Sequence, residues 1–212
     1  MPGVTASAGA HRAQPRHLED IVVLSAQLQA SSTSVRGADS AAFREAMARF
    51  PSGVTIVTTQ DESGRPHGFT ASSFCSVSAE PPLVLVCLAT SANSYPLFAR
   101  NDHFAISILQ ADHVDLARRF ASKDTDKFAG GGFVRTPRGA TVLEDALAVV
   151  ECSVGRRYEA GDHMIMLGEV EQVSLAETEL RRPAVYFDRA FSTICSPSCT
   201  SGTRTSAASR KS

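Results

Sequence analysis

Most of the common catalytic signatures are missing from this sequence. It has no GxxxxGK[ST], and so no P-loop, and no GxGxxG between a strand and a helix, and so no Rossmann fingerprint. HExxH and GxSxG are also missing. The triple glycine Gly130-Gly131-Gly132 has neither a strand before it nor a capped helix after it. The histidines (His11, His17, His67, His103, His113, His163) are scattered and form no ligand set. These absences leave a hydrolase or a metalloenzyme with little support. They point to chemistry carried by a bound cofactor that the protein positions.

Other absences bound the setting. With 21 basic and 22 acidic side chains the net charge is −1, so the concentrated basic surface of a nucleic-acid binder is lacking. No apolar run nears the roughly 18 residues of a membrane span. IVVL, preceded by Glu19 and Asp20, is too short for a signal-peptide core. The five cysteines form no CxxC pair. Cys75, Cys87 and Cys152 fall in expected strands and read as small buried apolar residues. Cys195 and Cys199 have no histidine near them and make a poor zinc site. A cytoplasmic protein with reduced thiols is expected.

The ends differ in composition from the middle. Residues 1–38 and 195–212 are rich in small and polar side chains and are expected to be disordered, apart from a short helix at 17–30. The working domain is expected over 39–194. Within it, residues 39–50 read as a helix with Phe43, Met47 and Phe50 on one face, capped by Asp39 or Ser40. GVTIVTT and HFAISIL read as strands. LVLVCLA is a continuous apolar run, expected to be covered on both faces. Residues 111–122 form an amphipathic helix, and 123–140 a long loop. Two β segments follow, joined by a hairpin at Ala160-Gly161-Asp162, and PAVYFDRAFSTI closes the domain. Six or seven strands with short connections and two or three short helices indicate a mainly β fold, an antiparallel barrel with peripheral helices.

GFTASSFCSVS, residues 68–78, stands out. It reads as one strand, yet holds four serines and a threonine. Such a strand is either a solvent-facing edge or a shallow polar seat for a planar ligand or a phosphate. Ser91, Asn93 and Ser94 cluster before a helical stretch, where hydroxyls and helix N-terminal amides would suit a phosphate. Arg118, Arg119 and Lys127 supply positive charge nearby in sequence.

Taken together, FREAMARFPSGVTIVTT, GFTASSFCSVSAEPPLVLVCLATSANS, FAISIL, LARRFA, DKFAG, YEAGDHMIMLGEVEQV and PAVYF resemble the short-chain flavin reductase family, the reductase components of two-component flavin-dependent monooxygenases. The resemblance covers about residues 40–194. It implies a split β-barrel that binds FMN or FAD, uses NADH or NADPH, forms a homodimer and supplies reduced flavin to a separate monooxygenase. It implies that Thr70, Ala71, Ser72 and Ser73 line the isoalloxazine, met by Cys87, Leu88 and Ala89 from the next strand. Ser91, Asn93 and Ser94 would take the phosphate with Lys127. Phe120 and Phe128 would flank the ring or an adenine, or else pack in the core. His163, in the GDH motif, would lie near the nicotinamide, or else bond a nearby backbone group. His67 and His113 are expected at the surface. The alternatives are a flavoprotein oxidase on the same fold and a non-catalytic flavin carrier.

Overall fold

The computed structural model describes residues 39–123, 125–177 and 182–194. The expectations for 1–38, including the helix at 17–30, and for 195–212, with Cys195 and Cys199, lie outside the described residues. The chain divides into two units, Met1–Arg44 and Glu45–Ser212. Of the first, only 39–44 are described, the start of helix α1 (Ser40–Ala48). Asp39 caps this helix, its carboxylate accepting from the amides of Ala41 and Ala42, both at 3.3 Å. Phe43, Met47 and Phe50 are exposed.

The second unit is built on a seven-stranded antiparallel sheet. Its strands are β2 (Thr55–Gln60), β3 (Pro66–Ala71), β4 (Cys75–Ala79), β5 (Pro82–Ala89), β6 (His103–Ile108), β9 (Ala148–Ala160) and β10 (His163–Leu175). Their order is β3-β2-β6-β9-β10-β5-β4. A three-stranded sheet of β1 (Ser52–Gly53), β11 (Ala184–Phe187) and β12 (Ala190–Thr193) flanks it. A hairpin, β7 (Phe133–Arg135) and β8 (Thr141–Leu143), lies within the stretch expected to be a loop. Helices α2 (Tyr95–Phe98) and α3 (Val114–Ala121) sit between strands.

The sheet order corrects the reading of the hydroxyl-rich stretch. It is not one strand. β3 and β4 lie at opposite edges of the sheet and are joined by residues 72–74 alone. In a flat sheet, six gaps of ~4.8 Å would part those edges by roughly 29 Å. The link from Ala71 to Cys75 spans at most about 14 Å. The sheet must therefore curl until its edges approach, which makes a barrel. No ladder joins β3 to β4, so the barrel stays split at that seam.

Inside the barrel, Val57, Phe69, Val86, Ile106, Met164 and Met166 form one core cluster. A second lies outside it, under α3 and the small sheet, and includes Ile56, Leu109, Ala117, Phe120 and Leu143. β2 serves both, with Ile56 facing one and Val57 the other. The hydroxyls of Thr55, Thr58 and Thr59 donate to the carbonyls of Ala71, Thr141 and His103, which makes their burial tolerable. LVLVCLA is covered on one face only: Val84, Val86 and Leu88 are buried, whereas Leu83, Leu85 and Cys87 are half-buried. Cys152 is buried as expected, and burial raises its thiol pKa to about 12, so it is inert. Cys75 is exposed, because β4 is an edge strand.

Candidate functional site

The seam is where polar groups are left free. Thr70 and Ser73 are committed to holding it together. The Thr70 hydroxyl donates to the Ala117 carbonyl at 2.6 Å and fixes α3 against β3. The Ser73 hydroxyl accepts from the Cys87 amide at 2.9 Å and donates to the Cys87 carbonyl at 3.3 Å, which ties the crossing to β5. Ser72 is exposed and its hydroxyl has no partner. The amides of Ser72 and Ser73 also have none among the described residues. A cleft of about 350 Å³ opens here. Thr70, Ala71, Ser72, Ser73, Cys87, Leu88, Ala89, Ser91, Asn93, Phe120, Lys127 and His163 all line it. Of the residues expected at the site, only Ser94 and Phe128 are not in its wall. They line an adjoining cavity, together with Asn93 and Lys127.

His163 opens β10, directly after the hairpin turn. Gly161 holds φ +63°, a conformation that favours glycine. The amide and hydroxyl of Thr90 both donate to the Asp162 carbonyl, at 3.0 and 3.1 Å, which pins the turn to the end of β5. His163 Nδ1 lies 2.7 Å from Asp162 Oδ1. That bond fixes the ring and leaves Nε2 available to the cleft. It also holds the Asp162 carboxyl below its usual pKa.

The loop after β5 was expected to offer helix amides to a phosphate. The turn rules this out. The Tyr95 amide donates to Ala92, Pro96 has no N–H, and the amides of Leu97 and Phe98 both donate to the Ser94 carbonyl. The donors that remain lie one turn earlier. The amides of Ser91, Asn93 and Ser94 have no partner among the described residues, and such runs of free N–H groups favour anions. The Ser94 side chain is buried, and its Oγ meets no partner. Lys127 reaches the same place. Its ammonium donates to the carbonyls of Gly68 at 3.0 Å and Phe120 at 2.8 Å, and burial lowers its pKa from the ordinary lysine value.

Other expectations come out differently. Phe120 is fully buried, 5.0 Å from Phe128 and 5.4 Å from Phe133 between ring centroids. It is a core residue whose edge only borders the cleft. Arg119 donates to the Ala129 carbonyl, and Arg118 pairs with Asp115 at 3.0 Å over the Phe191 ring. Of the three cations singled out, Lys127 alone lines the cleft. His113 is buried against Asp145 at 3.1 Å, while His67 pairs with Asp61 at 3.1 Å and lines the adjoining cavity. Ser122 and Lys123, at the end of α3, line the cleft and had no motif to announce them.

A split barrel whose seam carries unpaired donors matches the flavin reductase-like domain model over residues 47–194. The chain belongs to the flavin reductase-like family. Among relatives of known annotation, it is 62% identical over 159 residues to the actinorhodin polyketide dimerase of Streptomyces coelicolor, covering 75% of this chain and 89% of that one. It is 40% identical over 157 residues to an FMN reductase (NADH), RutF, of Variovorax paradoxus, covering 73% and 86%. Among solved structures it resembles the NADH:FAD oxidoreductase SgcE6 of Streptomyces globisporus, in complex with NAD and FAD fragments. That likeness has a TM-score of 0.69 and 35% identity, and covers 76% of this chain and 95% of that one. In this family setting the mainly β split barrel with short peripheral helices is the fold expected from the sequence. No helix among the described residues is long and apolar enough to cross a membrane.

Proposed function

We propose that this chain is an NAD(P)H:flavin oxidoreductase that reduces FMN or FAD and passes the reduced flavin to a separate monooxygenase. The observation that carries this reading is the seam: free amides and a free hydroxyl at residues 72–73, within the same cleft as free amides at 91–94 and a desolvated ammonium. That donor set fits a flavin, with a flat acceptor-rich ring at one end and a phosphate at the other. When bound, the flavin accepts a hydride from the nicotinamide at N5.

The protein's part is positional. The cleft holds the two rings in contact, which hydride transfer needs more than it needs an acid or a base. The amides of Ser72 and Ser73 donate to the ring edge where negative charge develops. Leu88 and Ala89 give the ring an apolar wall. Lys127 and the amides of Ser91, Asn93 and Ser94 meet the phosphate. His163, steadied by Asp162, donates from Nε2 toward the nicotinamide. Replacing it (His163→Ala) is expected to raise the Michaelis constant for NADH about tenfold, the rough value of one such hydrogen bond, with flavin affinity near normal. An unchanged constant in steady-state kinetics would remove His163 from the nicotinamide site.

A homodimer follows from the sheet. Leu83, Leu85, Ile165 and Leu167 are half-buried on the outward face of β5 and β10, with Tyr158 48% exposed beside them on β9. LVLVCLA reads as a strand covered on both faces, and a second copy supplies the missing cover. Light scattering should give twice the 22.5 kDa chain mass; a monomer would contradict this. The free thiols of Cys75, Cys87 and Cys152 suit the cytoplasm.

The test of the reading is loss of reduced-nicotinamide absorbance with and without added flavin. Turnover that saturates in flavin supports a reductase. Turnover of an organic substrate without nicotinamide points to an oxidase. Flavin binding without turnover points to a carrier.

A further inference from the structure

The cavity beside the cleft has features that a phosphate seat alone does not explain. Its volume is about 480 Å³, against about 350 Å³ for the cleft itself. The two share Asn93 and Lys127, so one molecule can run through both. The size falls in the range of small-molecule pockets.

Its lining is selective. Ser94 is 6% exposed, and its Oγ is one of two buried side-chain polar atoms without a partner among the described residues. Leaving such a group unpaired costs roughly 1–3 kcal/mol, a penalty that a ligand oxygen would remove. Arg65 is exposed, and its guanidinium has no acidic partner among the described residues. Arg65 and Lys127 are opposed by one carboxylate, Asp126, whose Oδ1 already accepts from the Phe128 amide at 3.2 Å. The cavity is therefore net positive. Phe128 offers an aromatic wall and is held in place by edge contacts with Phe120 at 5.0 Å and Phe133 at 4.8 Å.

The turn that carries Arg65 is fixed as well. The Asp61 carboxylate accepts from the amides of Ser63 and Arg65, each at 3.0 Å, and from the Ser63 hydroxyl at 2.6 Å. It also meets His67 Nε2 at 3.1 Å. These bonds keep its pKa far below the ordinary value. Arg65 is thus presented from an ordered hairpin.

We infer that this cavity seats the adenylate end of a dinucleotide, with the phosphate between Ser94 and Arg65 and the purine against Phe128. The inference rests on the flavin reading of the cleft. An adenylate end is common to FAD and to reduced nicotinamide dinucleotide, and the names of the relatives, FMN reductase and NADH:FAD oxidoreductase, leave the flavin open.

AMP is the probe, titrated by calorimetry into protein saturated with FMN. Binding in the millimolar range or tighter is expected, and at least a tenfold loss in Arg65→Glu. Competition against FAD but not against NADH names the flavin dinucleotide as the source. Competition against NADH alone names the nicotinamide dinucleotide. Absence of AMP heat together with no competition against either overturns the inference, as does full AMP affinity in Arg65→Glu. FMN binding in the same samples separates the two levels. FMN that binds where AMP does not removes only this inference, whereas protein that binds no FMN removes the flavin reading beneath it.

Discussion

Lys127→Met is expected to weaken FMN binding by about ten- to a hundredfold, and riboflavin binding by less than about threefold. The estimate follows from the roughly 1.5–3 kcal/mol of a hydrogen bond to a charged group. Lys127 holds two carbonyls on either side of the cleft, Gly68 and Phe120, which leaves one N–H of the ammonium for a ligand. Riboflavin lacks the phosphate, so comparing the two ligands separates a lost phosphate contact from a loosened loop. Equal losses for both would make Lys127 a structural clamp only. The pH dependence has a definite sign. Burial disfavours the ammonium and lowers its pKa from the ordinary 10.5, so its charge is lost earlier on the alkaline side than that of an exposed lysine. The preference for FMN over riboflavin should therefore fall as pH rises toward the lysine range, and should be flat in Lys127→Met. Fluorescence titration across that range checks both.

Gly68→Val should be the most destabilising single change at the site. A Cβ at Gly68 would sit 2.7 Å from the Val57 carbonyl oxygen and 2.9 Å from Phe120 Cε1. The first is backbone of the neighbouring strand, paired in register with Gly68 through Thr58. The second belongs to a ring with no exposure, packed against Phe128 and Phe133. Neither can yield cheaply, so overpacking of about 3 kcal/mol is expected. In a chain of this size that lowers Tm by roughly 6–12 °C. A melting curve within about two degrees of the parent's would mean that Phe120 does not lie against β3.

The same contact explains part of what could be read in the sequence. Strands with clean alternation or continuous apolar content, such as β2, β5 and β6, were legible because their cores are filled by the period itself. The hydroxyl-rich stretch was legible as polar and ligand-facing but not as two strands. Small residues satisfy the strand template on either side of position 72, and nothing local marks the crossing. Only the sheet order shows it. Nor could the pattern tell which hydroxyls would be free. Thr70 and Ser73 close the seam, and Ser72 is left over. The amide cradle at 91–94 was placed correctly in sequence but attributed to the wrong N–H groups, although Pro96 and the brevity of α2 count against helix amides. His113 was read as exposed because its partner, Asp145, is 32 residues away and no periodicity links them. Arg65 belongs to a turn whose composition looks merely solvated.

The most direct measurement of the central claim is anaerobic bleaching of FMN absorbance on mixing with NADH, with the parent protein and Ser72→Leu side by side. A flavin seated over the seam predicts that the parent reduces FMN in step with NADH loss. In Ser72→Leu, the flavin concentration for half-maximal rate should rise tenfold or more, from one lost hydrogen bond and a side chain thrust into the cleft. Equal rates at every flavin concentration would place the reaction somewhere other than the gap between β3 and β4.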